Sequence, residues 1–163
     1  MPYSESRAWS DRFIDPIKRI VGPLMLEESS MEIDTQQVTD LMVMTAKDIR
    51  IAARVRDYRY MDRYPYDFTI RSKGAIYKTE LQKIVDGWGD WMFYGFSNEA
   101  RDDIARWYVI SFRAFRANLI RRRSSIRYME KPNMDGQTGL TAFDIRTFTP
   151  DILVQSSHEV PFH

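Results

Sequence analysis

No cysteine occurs among the 163 residues, and the only two histidines, His158 and His163, lie near the end of the chain. The first absence excludes a disulfide framework and thiolate metal sites. The second excludes a histidine-based metal centre or a Ser-His-Asp triad within the body of the chain. Glycine is also sparse, at seven residues. The one segment with two closely spaced glycines, "DGWGDW", is short, has no Lys-Ser/Thr after it, and reads as a helix stop and turn at Gly87 and Gly89 instead of a phosphate loop. Long apolar runs are missing too: "WMFYGF" (Trp91 to Phe96) falls far below the roughly 20 residues that span a bilayer. No signal-peptide pattern opens the chain. These absences predict no membrane association, and a cysteine-free chain is expected in the reducing cytoplasm.

What is present is the make-up of a folded protein. Hydrophobic residues amount to 44% and charged ones to 29%, values typical of a soluble globular chain. The length suits one domain over 1–163 with a single core, residues 150–163 reading as a loose C-terminal tail. A formal net charge of +1 hides a strong division along the chain. Residues 46–78 carry nine basic and four acidic groups, and residues 101–131 carry nine and three. Both flanking regions, 1–39 and 132–163, are net acidic. Of the 24 basic residues 18 are Arg, whose planar fork suits phosphates and buried carboxylates. Two Arg-rich blocks imply either a basic face or a set of internal ion pairs.

Local patterns predict the elements. "SDRFIDPIKRIVGPLM" has capping residues in Ser10 and Asp15, Pro16 at a first helical position, and Gly22-Pro23 as a stop. The acidic "LEESSMEIDTQQ" reads as a connector or a short paired segment. "TDLMVM" (39–44) and "IRIAARVR" (49–56), joined by "TAKD", read as a hairpin, and "YDFTIRS" (66–72) as a third strand. "KTELQKIVDGW" (78–88) reads as a helix capped by Thr79, "DWMFYGFS" (90–97) as a buried strand, and 105–112 as a strand leading into a helix over 113–123. "TAFDIRTF" is a further strand, and "PDILVQSS" a short helix or edge segment. The order predicts an α/β (α+β) protein with a central mixed β-sheet flanked by helices.

Residues 10–97, as helix, three-stranded meander, helix and strand, resemble the αβββαβ core of the PD-(D/E)XK, restriction-endonuclease-like superfamily. The resemblance implies that Asp40 corresponds to the family's first metal-binding acid and Arg56 to its lysine, while Arg54 stands where the second acid belongs. It further implies a Mg²⁺ ion that activates water at a phosphodiester, with Asp40, Asp67 and Arg56 as the catalytic set. A closed hairpin puts Ala53 opposite Asp40, and a register slip of one residue supplies no acid there either. The metal set would then be Asp40, Glu32 and Asp67, with Glu80 and Lys83 in support or simply paired to each other three residues apart. In the competing reading, Arg54 between two Asp residues is a cross-strand charge ladder.

Two segments point to DNA or RNA. "RVRDYRYMDRYPYDF" interleaves Arg54, Arg56, Arg59 and Arg63 with Tyr58, Tyr60, Tyr64 and Tyr66, combining phosphate neutralisation with faces for stacking. The bland alternative is a loop with snorkelling Arg and half-buried Tyr. "RAFRANLIRRRSSIR" brings Arg113, Arg116, Arg121, Arg122, Arg123 and Arg127 together without an acid. Part of that cluster answers to the dipole at a helix C-terminus. The expectation is a nucleic-acid-binding protein, either a Mg-dependent phosphodiesterase or a degenerate one that binds without cutting. The alternative is an interaction or assembly protein of phage or accessory-genome type, using its Arg surfaces on a protein partner. The aromatic segment 88–96 is expected in the core, or partly at a homo-oligomer interface.

Overall fold

A computed structural model describes residues 3–35, 49–74 and 78–163; in the first of these segments the side chains described are those of residues 4–25. Helices α1 (Tyr3–Asp11) and α2 (Ile14–Thr35) lead to β1 (Ile51–Arg56), α3 (Arg59–Arg63), β2 (Asp67–Lys73) and α4 (Glu80–Val85). They are followed by β3 (Trp91–Ser97), β4 (Ile104–Ser111), α5 (Phe112–Arg121), β5 (Tyr128–Pro132), β6 (Gly139–Asp144) and β7 (Leu153–Ser156). The architecture is the expected mixed α/β one, with a mixed four-stranded sheet flanked by helices. It also has a second sheet that periodicity alone does not reveal. The first sheet runs β1-β3-β4-β7, with β1 parallel to β3 and the other pairs antiparallel; the second runs β2-β6-β5, all antiparallel.

The expected meander is corrected here. Residues 51–56 and 67–73 are strands, but they belong to different sheets, and Arg54 lies beside Tyr94 of β3 in the ladder instead of beside Asp67. The proposed first strand of the hairpin, 39–44, lies outside the described residues. A parallel pair cannot be joined by a tight turn, so the chain between β1 and β3 must travel. It does so through α3, β2 and α4, which leaves β2 free to pair with β6.

Strand alternation explains how the layers fit together. In β3, every residue of which is buried, Trp91 and Phe93 point to one face and Met92, Tyr94 and Phe96 to the other. Trp91 and Phe93 join Val21, Val109 and the flanking Ile17, Ile20, Leu24 and Met25 against α2. That contact accounts for a helix that runs on through Gly22-Pro23, where the local signals predict a stop. Packing of an amphipathic stripe outweighs the one hydrogen bond that Pro23 removes. The opposite face of the sheet packs on α4, α5 and the second sheet, around Phe68, Phe115, Phe143 and Phe148.

Residues 150–163 are not a loose tail. A single 3₁₀ turn at Pro150–Ile152 leads into β7, Ile152 and Val160 are buried, and the backbone N–H of His163 donates to the Arg146 carbonyl at 2.9 Å. No helix among the described residues is long and apolar enough to cross a membrane.

Candidate functional site: a basic cleft beside an arginine-tyrosine seam

The same alternation that buries Ile51 and Val55 against α2 turns Arg54 and Arg56 toward the second sheet. Arg54 donates to the Thr69 carbonyl and, through Nη2, to both carboxylate oxygens of Glu80, each at 3.2 Å. Its side chain is 19% exposed. Burial lowers the Arg54 pKa; Glu80 and Tyr94 oppose this, and Arg71 and Arg56 add repulsion. Glu80 is therefore the counter-ion of an arginine three elements back along the chain, in place of the expected pairing with Lys83. Arg56 lies over the Tyr60 ring at 4.4 Å and reaches Thr69 Oγ1 at 3.4 Å. Burial raises the pKa of the Tyr94 hydroxyl, while Arg56 and the Thr69 contact pull it back.

Each of the four interleaved Tyr rings lies beneath a cation, from the same segment for Tyr60 and Tyr64 and from elsewhere in the chain for Tyr58 and Tyr66. Arg101 covers Tyr58, Arg63 covers Tyr64, and both Arg106 and Arg146 lie over Tyr66, at 5.1 and 4.7 Å. Arg59 donates to Asp57 at 2.8 Å, and Arg101 binds the other oxygen of Asp57 at 2.7 Å. Any phosphate drawn to these groups competes with internal partners. In the second basic block, Arg116 donates to the Ile84 carbonyl at the end of α4, and Arg122 lies 3.5 Å from the Asn118 side-chain oxygen. Arg127 approaches Asp144 at 3.9 Å. Arg113, Arg121 and Arg123 are exposed and, among the described residues, carry no ion pair.

Asp57 makes a pH prediction. Burial tends to raise its pKa, but the side-chain bonds from Arg59 and Arg101 outweigh this and bring it to about 2. A carboxylate whose folded pKa is depressed stabilises the fold above its unfolded value, near 3.8. That stabilisation is lost as pH falls through about 2. Acid titration of the wild type should show a component in this window that is missing in Asp57→Asn, measured by circular dichroism at matched ionic strength.

Of the residues expected to hold magnesium, Asp40 and the side chain of Glu32 lie outside the described residues. Asp67 lies beside Asp144 across the β2–β6 ladder. Burial raises the Asp67 pKa, Lys131 opposes, Asp144 adds to the rise and Arg146 opposes. Asp144 itself is held by Arg146 at 2.9 and 2.8 Å. These surroundings suit carboxylates neutralised by cations, and no group of three Asp, Glu or His able to hold a metal occurs among the described residues.

The concave feature nearest Arg54 is a cleft of about 780 Å³ between the end of β2, α4 and the β5–β6 hairpin. Its charged lining is Arg71, Lys73, Lys78, Lys83 and Glu80, and Trp88 and Asn133 complete the walls. Glu80 is already committed to Arg54, and Lys78 is paired with Asp86 at 2.6 Å. Lys73 donates to the Gly136 carbonyl at 3.0 Å. The Arg71 backbone N–H donates to Glu80 Oε1 at 3.4 Å, but among the described residues neither the Arg71 guanidinium nor the Lys83 ammonium has a carboxylate partner. An adjoining cleft of about 770 Å³ shares Lys73, Gly139 and Leu140 and is mainly apolar, lined by Leu81, Val85, Leu119 and Tyr128.

Local chemistry holds the wall in place. Thr79 and Gln82 form a reciprocal capping box at the start of α4. At its end the Gly87 N–H donates to the Ile84 carbonyl at 3.0 Å and the Trp88 N–H to the Lys83 carbonyl at 2.9 Å, a Schellman arrangement. That closure requires Gly87 at φ 105. Arg71 and Lys73 were visible as alternate residues at the end of a strand, and Trp88 as an aromatic between two glycines, yet sequence reasoning selected none of them. Their convergence depends on β2 leaving the first sheet. Comparison of the chain with protein-family models, with curated proteins and with solved structures finds no match.

Proposed function

We propose that this protein binds nucleic acid through the cleft bounded by β2, α4 and the β5–β6 hairpin, and does so without cutting it. The observation that carries the reading is the excess of cations there. Arg71, Lys73 and Lys83 line one concavity whose single acidic side chain among the described residues, Glu80, is held by Arg54. Clefts lined by one sign of charge concentrate the field on a polyanion. The exposed Arg113, Arg121 and Arg123 extend the basic character beyond the cleft.

Binding without hydrolysis follows from Arg54. At the position where the resemblance to PD-(D/E)XK nucleases calls for a second metal-binding acid, this chain has a guanidinium tied to Thr69 and Glu80. The test is binding of labelled single- and double-stranded DNA and RNA by fluorescence anisotropy, with Mg²⁺ or Mn²⁺ present and the products run on a denaturing gel. We expect affinity to fall by tenfold or more between about 50 and about 200 mM salt, as counter-ion release requires, with the strands intact. Metal-dependent cleavage that disappears in Asp40→Ala would overturn the non-cutting part.

A second reading draws on the adjoining apolar cleft, where Ile120 is 83% exposed and Val85 and Tyr128 about half so. Exposed apolar surface of this kind fits a protein partner. Absence of any nucleic-acid binding at low salt would favour it.

A further inference from the structure

Trp88 differs from the other tryptophans in this chain. Trp9 donates its Nε1–H to the Val55 carbonyl and meets Phe13 edge-on, Trp91 is buried, and Trp107 stacks on Phe93. Trp88 is 41% exposed, and no ring or cation among the described residues is paired with its indole. Yet its backbone is firmly held. The Schellman closure fixes it on one side, and on the other Gly89 turns the chain at φ 78. The next residue, Asp90, then accepts from the Arg50 N–H at 2.9 Å. Gly89 also lies against the Phe112 ring, where an added Cβ would come within 3.0 Å. A large apolar ring is thus presented at a braced apex, on the wall of the basic cleft and one turn from Lys83.

An indole with its position already set loses little entropy on binding. Beside Arg71 and Lys83 it supplies what an unpaired nucleotide needs: a flat face for the base and cations for the phosphates. A duplex keeps its bases stacked on one another, and offering one to Trp88 would require it to be unpaired and unstacked first. We therefore infer that the cleft selects single-stranded nucleic acid, with one base stacked on Trp88. This rests on the nucleic-acid-binding reading above and adds the strandedness and the stacking residue.

Truncation to Ala removes apolar surface together with the π face, so that variant alone would confuse the two. Two substitutions separate these roles: Trp88→Leu keeps an apolar side chain without a π face, and Trp88→Phe keeps a smaller π face. The probe is a labelled oligothymidylate of about 15 nucleotides, with its duplex on oligoadenylate as comparison. Expected are tighter binding of the single strand by the wild type and a loss of roughly 5- to 100-fold in Trp88→Leu. Trp88→Phe should retain most of the affinity, and the salt dependence should stay the same in all three proteins because the phosphate contacts are untouched. Unfolding midpoints measured alongside confirm that each variant is folded at the assay temperature. Wild type that binds the duplex as tightly as the single strand, or Trp88→Leu that binds like wild type, overturns the stacking inference and leaves the binding function standing. Wild type that binds neither probe at low salt overturns both, and capture of polyglutamate in its place would assign the cleft to acidic protein segments.

Discussion

Phe115→Ala is expected to lower the free energy of unfolding by about 3–5 kcal/mol, read from urea denaturation with an unchanged slope. Phe115 is fully buried on α5 and packs against three other rings, with centroids 6.0 Å from Phe68, 5.2 Å from Phe143 and 5.7 Å from Phe148. Removing it takes away transfer energy and the aromatic contacts, and leaves a cavity that the surrounding strands can only partly close. The position also links the layers. Phe68 and Phe143 belong to the second sheet, and Phe148 follows the 3₁₀ turn after β6. Domains of this size have total stabilities of about 5–15 kcal/mol, so the loss is a large share of the whole. Ile120→Ala on the same helix, at a position 83% exposed, serves as the control and should shift the midpoint little.

The largest effect on binding is expected from reversing the cleft's charge. In Arg71→Glu/Lys73→Glu/Lys83→Glu, single-stranded affinity at low salt should drop on the order of 100-fold or more, since attraction is replaced by repulsion. The plot of log affinity against log salt should flatten by about 2, as three lost phosphate contacts imply at about 0.7 each. Stability should change little: the Arg71 guanidinium and the Lys83 ammonium have no carboxylate partner among the described residues, Lys73 holds only a carbonyl, and the bond from the Arg71 backbone N–H to Glu80 does not depend on the side chain. Reversal of the exposed Arg113, Arg121 and Arg123 tests whether the contact surface extends to α5. If that variant loses affinity and the cleft variant does not, the binding surface lies on α5 and the cleft assignment falls.

The fate of the predicted site residues follows from the range of the interactions involved. Arg54 and Arg56 share one side of β1 because of period-two alternation, which any strand imposes. What they meet depends on which strand lies across the core. The hairpin-and-meander expectation put Asp67 beside Arg54. The observed topology brings Thr69, Glu80 and Tyr94 there instead. The Arg-Tyr interleaving was plain in the sequence, but it describes surface stacking and internal cation–π pairing equally well. Tyr66, between Arg106 of β4 and Arg146 beyond β6, shows that the second use prevails at that position.

By itself the sequence determined what depends on near neighbours: the buried strand β3, the Thr79 cap, the turns at Gly87 and Gly89, the two Arg-rich blocks, and a mixed α/β class. Backbone sterics and capping hydrogen bonds act within a few residues, so their signals survive in a linear reading. Only the tertiary structure decided that β1 runs parallel to β3, that β2 joins a second sheet, and that α2 continues through Gly22-Pro23. Strand pairing and helix packing are settled by which apolar faces can be buried together, a competition among distant segments that no local window records. The basic cleft depends on that choice, because Arg71, Lys83 and Trp88 come together once β2 pairs with β6 and leaves room for α4 beside it.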